Sequence, residues 1–195
     1  VGPSHAWYIR DQLGLSYTSP LRHTREYLTV LRGLLHGEPV HHDGEFFRVD
    51  THLDVTAPAP TLLLSALGPK MLELAHDLAD GVITTWVTPD MISGLIAPHT
   101  GPGARLVAAV VTYLAPDADQ ARAGVTDQLA GVGNLPAYRA SLDRAGLAGP
   151  ADTVVIGDET AISDALKRYQ DAGVTDAIVI PLNERDRTLD LAQSV

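Results

Sequence analysis

Leu67-Gly68-Pro69-Lys70 sits where an apolar run, Thr61-Leu62-Leu63-Leu64-Ser65-Ala66, gives way to a helical pattern. Such a junction suits an anion such as phosphate. Glycine lets the backbone approach a ligand closely, and the amides that open a helix have no intrahelical acceptor, although Pro69 itself donates none. Lys70 adds a positive charge. A second group with possible chemistry is His36, His41 and His42. Adjacent residues on a strand point to opposite faces, so His41 and His42 do not readily share one metal ion, and no carboxylate stands at a spacing that completes a site. His23 and His76 fall within helices and read as structural. There is no Gly-x-Gly-x-x-Gly and no phosphate loop ending in Gly-Lys-Ser or Gly-Lys-Thr. The absence of cysteine rules out disulfides, cysteine metal sites and thiol nucleophiles.

A chain of 195 residues, 45% apolar with two Phe and two Trp, describes one domain spanning 1–195 with a Leu, Val, Ile and Ala core. That composition is typical of a parallel sheet covered by helices. A net charge of −10 argues against a nucleic-acid partner, and no apolar stretch is long enough to span a bilayer. A cytoplasmic protein with no membrane association is expected.

The elements that must position the candidate residues alternate. Ser19 and Pro20 start a helix whose Leu21, Leu28, Leu31, Leu34 and Leu35 repeat at helical spacing, with Arg22, Arg25 and Arg32 on the wet face. A small hairpin is expected at 40–49, turning at Asp43-Gly44. Residues 62–66, the helix after Pro69 and residues 82–87 form a compact β-α-β unit. Strands at 106–114 and 177–180 follow. Helices are expected from Asp117 to Leu129, after Asp158 with Ile162, Ala165, Leu166 and Tyr169 inward, and from Glu184 to Ala192 with Leu189 and Ala192 inward. Residues 131–152 read as a looser region. This is an α/β pattern with four buried strands at most.

Four strands fit an open sheet or half of a (β/α)8 barrel. The opening Val1-Gly2-Pro3-Ser4-His5, a turn with no element before it, favours the barrel and suggests an upstream portion.

Several segments together resemble the luciferase-like monooxygenase superfamily, and its coenzyme F420-dependent branch in particular. These are Gly2-Pro3-Ser4-His5, Tyr17 with Pro20, Glu26-Tyr27-Leu28, Gly44-Glu45-Phe46-Phe47, Ala66-Leu67-Gly68-Pro69-Lys70-Met71, Leu74-Ala75, Ala79-Asp80-Gly81 and Ala172-Gly173-Val174-Thr175-Asp176. The most specific part is Gly44-Glu45-Phe46-Phe47 combined with the downstream Ala-Leu-Gly-Pro-Lys and Ala-Asp-Gly. The resemblance implies a (β/α)8 TIM barrel with an inserted hairpin. This chain would supply its C-terminal part, about strands five to eight, with Gly2 just past the fourth.

The resemblance further implies a flavin or deazaflavin bound at the C-terminal strand ends. It carries the cofactor-binding role to Gly2, Pro3, Ser4, His5, Ala66, Leu67, Gly68, Lys70 and Trp86. Ser4 would offer a hydroxyl to phosphate, His5 would reach cofactor or substrate, and Trp86 would line the pocket of a planar ring or pack at the barrel end. The implied function is hydride transfer between F420 and a small organic substrate, in a homodimer, with no residue singled out for the accompanying proton. An FMN-dependent monooxygenase and a non-catalytic barrel homologue are the alternatives.

Overall fold

The run from 105 to 114 becomes the organising strand of the computed structural model, which describes residues 1–54 and 57–193. Strands β1 (Val40–Asp43) and β2 (Arg48–Thr51) form an antiparallel hairpin. Strands β3 (Leu63–Ser65), β4 (Gly81–Thr85), β5 (Arg105–Leu114), β6 (Val155–Gly157) and β7 (Asp176–Pro181) form one parallel sheet. β5 pairs with three of them. β4 and β7 both pair with Val107–Ala109 and therefore occupy opposite edges of β5. Thr112 pairs with Pro181 of β7 and Val155 of β6, which places β6 on the β4 side, beyond Thr85. Serving both edges, β5 is apolar on both faces, as a central parallel strand must be.

Val1 extends the sheet. Its nitrogen donates to the Leu63 carbonyl at 2.8 Å, and the Ser65 amide donates back to the Val1 carbonyl at 2.7 Å, the pattern of a parallel bridge centred on Leu64.

Helices α1 (Pro20–Leu35), α2 (Pro69–Leu78), α3 (Pro89–Met91), α4 (Ala97–Thr100), α5 (Ala118–Gly133), α6 (Pro136–Arg144), α7 (Glu159–Asp171) and α8 (Arg185–Ala192) surround the sheet. A π-helical turn at Ile92–Ile96 joins α3 to α4. Leu28, Leu64, Leu72, Leu74, Val82, Ile92, Val110 and Ile162 make a core with no exposed surface. Asp117 and Asp158 cap their helices by accepting backbone amides, which explains where α5 and α7 begin. At the base of the sheet Arg105 grips both carboxylate oxygens of Asp176 at 2.9 and 2.6 Å. This charged pair, with the Thr175 hydroxyl, holds the Asp176 carboxyl down at about 2.

The architecture corrects the expected C-terminal piece of about strands five to eight. Among the described residues there are seven strands and eight α-helices, amounting to most of a TIM barrel rather than a four-stranded fragment. The sheet strand missing from the expected set, β6, is a three-residue element inside a segment too short for an alternation or run to mark it. β7 was expected to be buried, yet Ile178 and Ile180 are 43% and 40% exposed: they share the face opposite Val179, which packs against the core, and that face is left uncovered.

Two local readings also change. Ser19 makes no capping bond to an amide; its backbone is left-handed and its hydroxyl accepts from Arg22. The hairpin turns through four residues, Gly44 to Phe47, with Asp43 still paired to Arg48. The cause lies on α1: Glu26 accepts the amides of Glu45, Phe46 and Phe47 at 3.1, 2.9 and 3.2 Å, so the loop widens to wrap one carboxylate. Those amides, with His42, draw its pKa below the ordinary value against the pull of partial burial. No helix among the described residues is long and apolar enough to cross a membrane.

Candidate functional site

β3 ends at Ser65 and α2 starts at Pro69, so the intervening turn lies at the C-terminal rim of the sheet. Pro69 at the first helical position fixes where the helix begins. The amides of Met71 and Leu72 both return to the Gly68 carbonyl, which leaves those of Gly68 and Lys70 without a protein acceptor among the described residues. Gly68 itself is extended, so its value at this position is the open space beside it rather than an unusual backbone angle.

Val1, bridged to β3, carries the following residues over this turn. A side chain on Gly2 would come within 2.8 Å of Ser65 Cβ, so only glycine permits this approach. Ser4 adopts a left-handed backbone with φ 59°, and the Tyr17 hydroxyl donates to its carbonyl at 3.2 Å. Burial pushes the Tyr17 hydroxyl above its ordinary value. This kink turns His5 toward α6, where its Nε2 lies 3.3 Å from Tyr138 Oη.

The result is a cleft of about 300 Å³. Pro3, Ser4 and His5 form one wall, Ser65, Leu67, Gly68 and Met71 the floor, and Ala137, Tyr138, Ala140 and Arg144 of α6 the other wall. The two sequence-selected segments, 2–5 and 66–70, therefore do come together. Pro3, Ser4, His5, Leu67 and Gly68 line the cleft, with Gly2 packed against Ser65 at its edge. Ala66 is buried beneath it, its amide bonded to Ile83. Lys70 is exposed and lines no part of it.

Trp86 stands behind the cleft. Its φ is 54°, its ring packs against the small core of Val111, Val125, Leu129, Ala151 and Val154, and its centroid lies 6.3 Å from that of Tyr138. Both ends of the following residue are held: Val87 is buried, and its carbonyl accepts the Tyr169 hydroxyl at 2.6 Å. Trp86 thus braces Tyr138 from the core side.

Tyr138 and Arg144 were missed because α6 falls in the stretch read as loose. One signal was present: Leu135-Pro136 marks a helix start as Ser19-Pro20 does, and Leu142 supplies the inward residue. The three histidines take separate partners. His41 meets Asp50, His42 meets Glu26, and His36 turns back to the Arg32 carbonyl.

An acid-free cleft at the C-terminal rim of a parallel sheet, apolar over most of its lining with a few polar groups, has the position and lining of a candidate ligand site. Residues 1–176 match the sequence profile of the luciferase-like monooxygenase family. The chain belongs to that family. Among curated proteins, this luciferase-like chain is 35% identical over 74 residues to a 5,10-methylenetetrahydromethanopterin reductase of Archaeoglobus fulgidus. The matched segment is 37% of this chain and 22% of the reductase, so the likeness spans well under two thirds of that protein.

Among solved structures, an F420-dependent secondary alcohol dehydrogenase in complex with an F420-acetone adduct superposes with a TM-score of 0.76. It shares 19% identity, covering 100% of this luciferase-like chain and 67% of its own. A riboflavin lyase with modified FMN and riboflavin superposes with a TM-score of 0.67 at 13% identity, covering 93% and 58% of the two chains. At such identities these likenesses establish the fold that luciferase-like proteins share, a barrel of which this chain forms most. They also replace the four-strand expectation.

Proposed function

We propose that this luciferase-like protein is an oxidoreductase that passes a hydride between a deazaflavin of the F420 type and a small organic substrate. The observation that carries the reading is the convergence of residues 3–5, the Leu67-Gly68 turn and α6 on one cleft. Family membership and a fold shared with an F420-dependent dehydrogenase support it. The same reading makes the enzyme a cytoplasmic homodimer.

The donor set fits a phosphate-bearing cofactor. The free amides at the start of α2 and the Ser4 hydroxyl supply hydrogen bonds to phosphate oxygens, and Gly68 lets those oxygens reach the backbone. Gly2 and Pro3 hold Ser4 in place, Ala66 fills the space beneath, and exposed Lys70 contributes only to the field outside the cleft. A bound deazaflavin supplies a hydride-carrying carbon where a flavin has nitrogen, and its reduced form reacts poorly with oxygen. His5 Nε2 and Tyr138 Oη share one hydrogen at the mouth, where they orient a ligand edge and limit the entry of water. Trp86 keeps Tyr138 in that position.

The riboflavin lyase likeness favours FMN as the second reading, because that lyase holds a modified FMN. Parallel fluorescence titrations of the full-length protein with F420 and FMN decide between them. Tight binding of F420 alone supports the proposal. FMN binding with oxygen consumption moves the protein to the monooxygenase reading, and binding of neither leaves a non-catalytic barrel homologue.

A further inference from the structure

We propose that Arg144, at the end of α6, is the cation that grips the phosphate of the bound cofactor and makes the cleft selective for phosphate-bearing ligands. The inference rests on the function proposed above and adds a residue to it.

In a chain with 24 acids and 14 bases, many of the cations are paired with a carboxylate. Arg139, on the same helix, is held by Asp143 at 2.8 Å, and Arg187, which lines a separate cavity, is held by Glu159. Arg144 has no carboxylate partner among the described residues. Its contact is with the Leu67 carbonyl at 3.5 Å, the outer limit of a hydrogen bond.

The same guanidinium hangs over the turn. A Cβ built on Gly68 would lie 3.9 Å from Arg144 Nη2. An exposed cation with unused donors therefore lies beside the turn whose amides at the start of α2 are free. Arg144 also borders a second cleft of about 340 Å³, but Asp90 lines that one, whereas the first contains no acid. Charge therefore directs an anion to the Gly68 side. Phosphate suits the planar guanidinium fork, which can bind two of its oxygens at once. Lys70, the cation that sequence pattern suggests, lies outside the cleft, so Arg144 takes the part assigned to it.

The test is a set of fluorescence titrations of full-length wild type, Arg144→Gln and Arg144→Lys. The probes are F420, its phosphate-free deazaflavin nucleoside, FMN and riboflavin, with thermal melts as the folding control. The expected result is that Arg144→Gln weakens F420 binding about tenfold or more while leaving the nucleoside unchanged. Arg144→Lys should recover part of the loss. In the wild type, inorganic phosphate should compete with F420 but not with the nucleoside, a readout that needs no variant.

Unchanged F420 affinity in Arg144→Gln, or equal loss for F420 and nucleoside, overturns the role of Arg144 while leaving the cofactor reading intact. A wild type that binds none of the four probes overturns both.

Discussion

His5 Nε2 lies 3.3 Å from Tyr138 Oη, and the two rings meet edge to face with centroids 5.1 Å apart, across 133 residues of chain. The contact joins the segment bridged to β3 with a helix that follows β5. It closes the mouth of the cleft by side chains rather than by backbone, so its removal should affect binding more than folding. Tyr138→Phe keeps the ring and loses one hydrogen bond, and F420 affinity should fall by up to about fivefold. Tyr138→Ala also removes the surface that Trp86 supports and should cost more. Fluorescence titration with a melting control measures both, and equal affinities in all three proteins would count against the site.

Tyr169 controls the residue after Trp86. Tyr169→Phe leaves the buried Val87 carbonyl without its donor and should destabilise the fold by about 1–2 kcal/mol, read by urea titration. Burial raises the Tyr169 hydroxyl from 10.0 to about 12. The unfolded chain then loses this proton more readily than the folded one, so the stability it contributes is complete below pH 10 and is lost as pH rises toward 12. Tyr169→Phe should lack that component of the alkaline decline.

Glu26 is the hub of the hairpin loop. Glu26→Gln replaces a carboxylate that takes three amides and should lower the melting temperature by a few degrees at neutral pH. Because folding depresses this pKa, the contribution is present above the ordinary carboxylate value and disappears as pH falls through the depressed one. The gap between variant and wild type should narrow on acidification. A gap independent of pH would show that the charge is not what matters.

Gly81 begins β4 against the backbone of Arg105, where any Cβ would collide with the Arg105 carbonyl. Gly81→Ala should destabilise by about 1–3 kcal/mol through displacement of the β4–β5 register. Hydrogen exchange should show the loosening centred on residues 81–85 and 105–109.

Much of this was legible in the sequence wherever one element had one strong reason to exist. The β3-α2-β4 unit announces itself through a continuous apolar run, Pro69 at a helix start and Asp80-Gly81 at its end. The buried faces of α7, Ile162, Ala165, Leu166 and Tyr169, are those its spacing predicts. Where tertiary context dominates, local pattern is silent. β6 pairs with the far end of β5, beyond the reach of β4, and α6 lines a cleft whose other wall lies more than 130 residues earlier. The site was half legible for the same reason. Its glycine turn and Ser4-His5 carry local signatures, whereas Tyr138 and Arg144 acquire meaning only from what they face, and Lys70, noticed for its charge, is exposed and does not line the cleft.

β5 serves three partners along ten residues, and this constrains how the gene can change. Deleting one residue within it would reverse the facing of every side chain beyond that point, against β4 or β6 on one edge and β7 on the other. No single compensating shift in a neighbour repairs a slip felt on both sides. The turn ahead of it, with Gly101 and Gly103 both at positive φ, has no such obligation. Descendants of this sequence should therefore differ in length there, while the strand itself passes on as a block of fixed size.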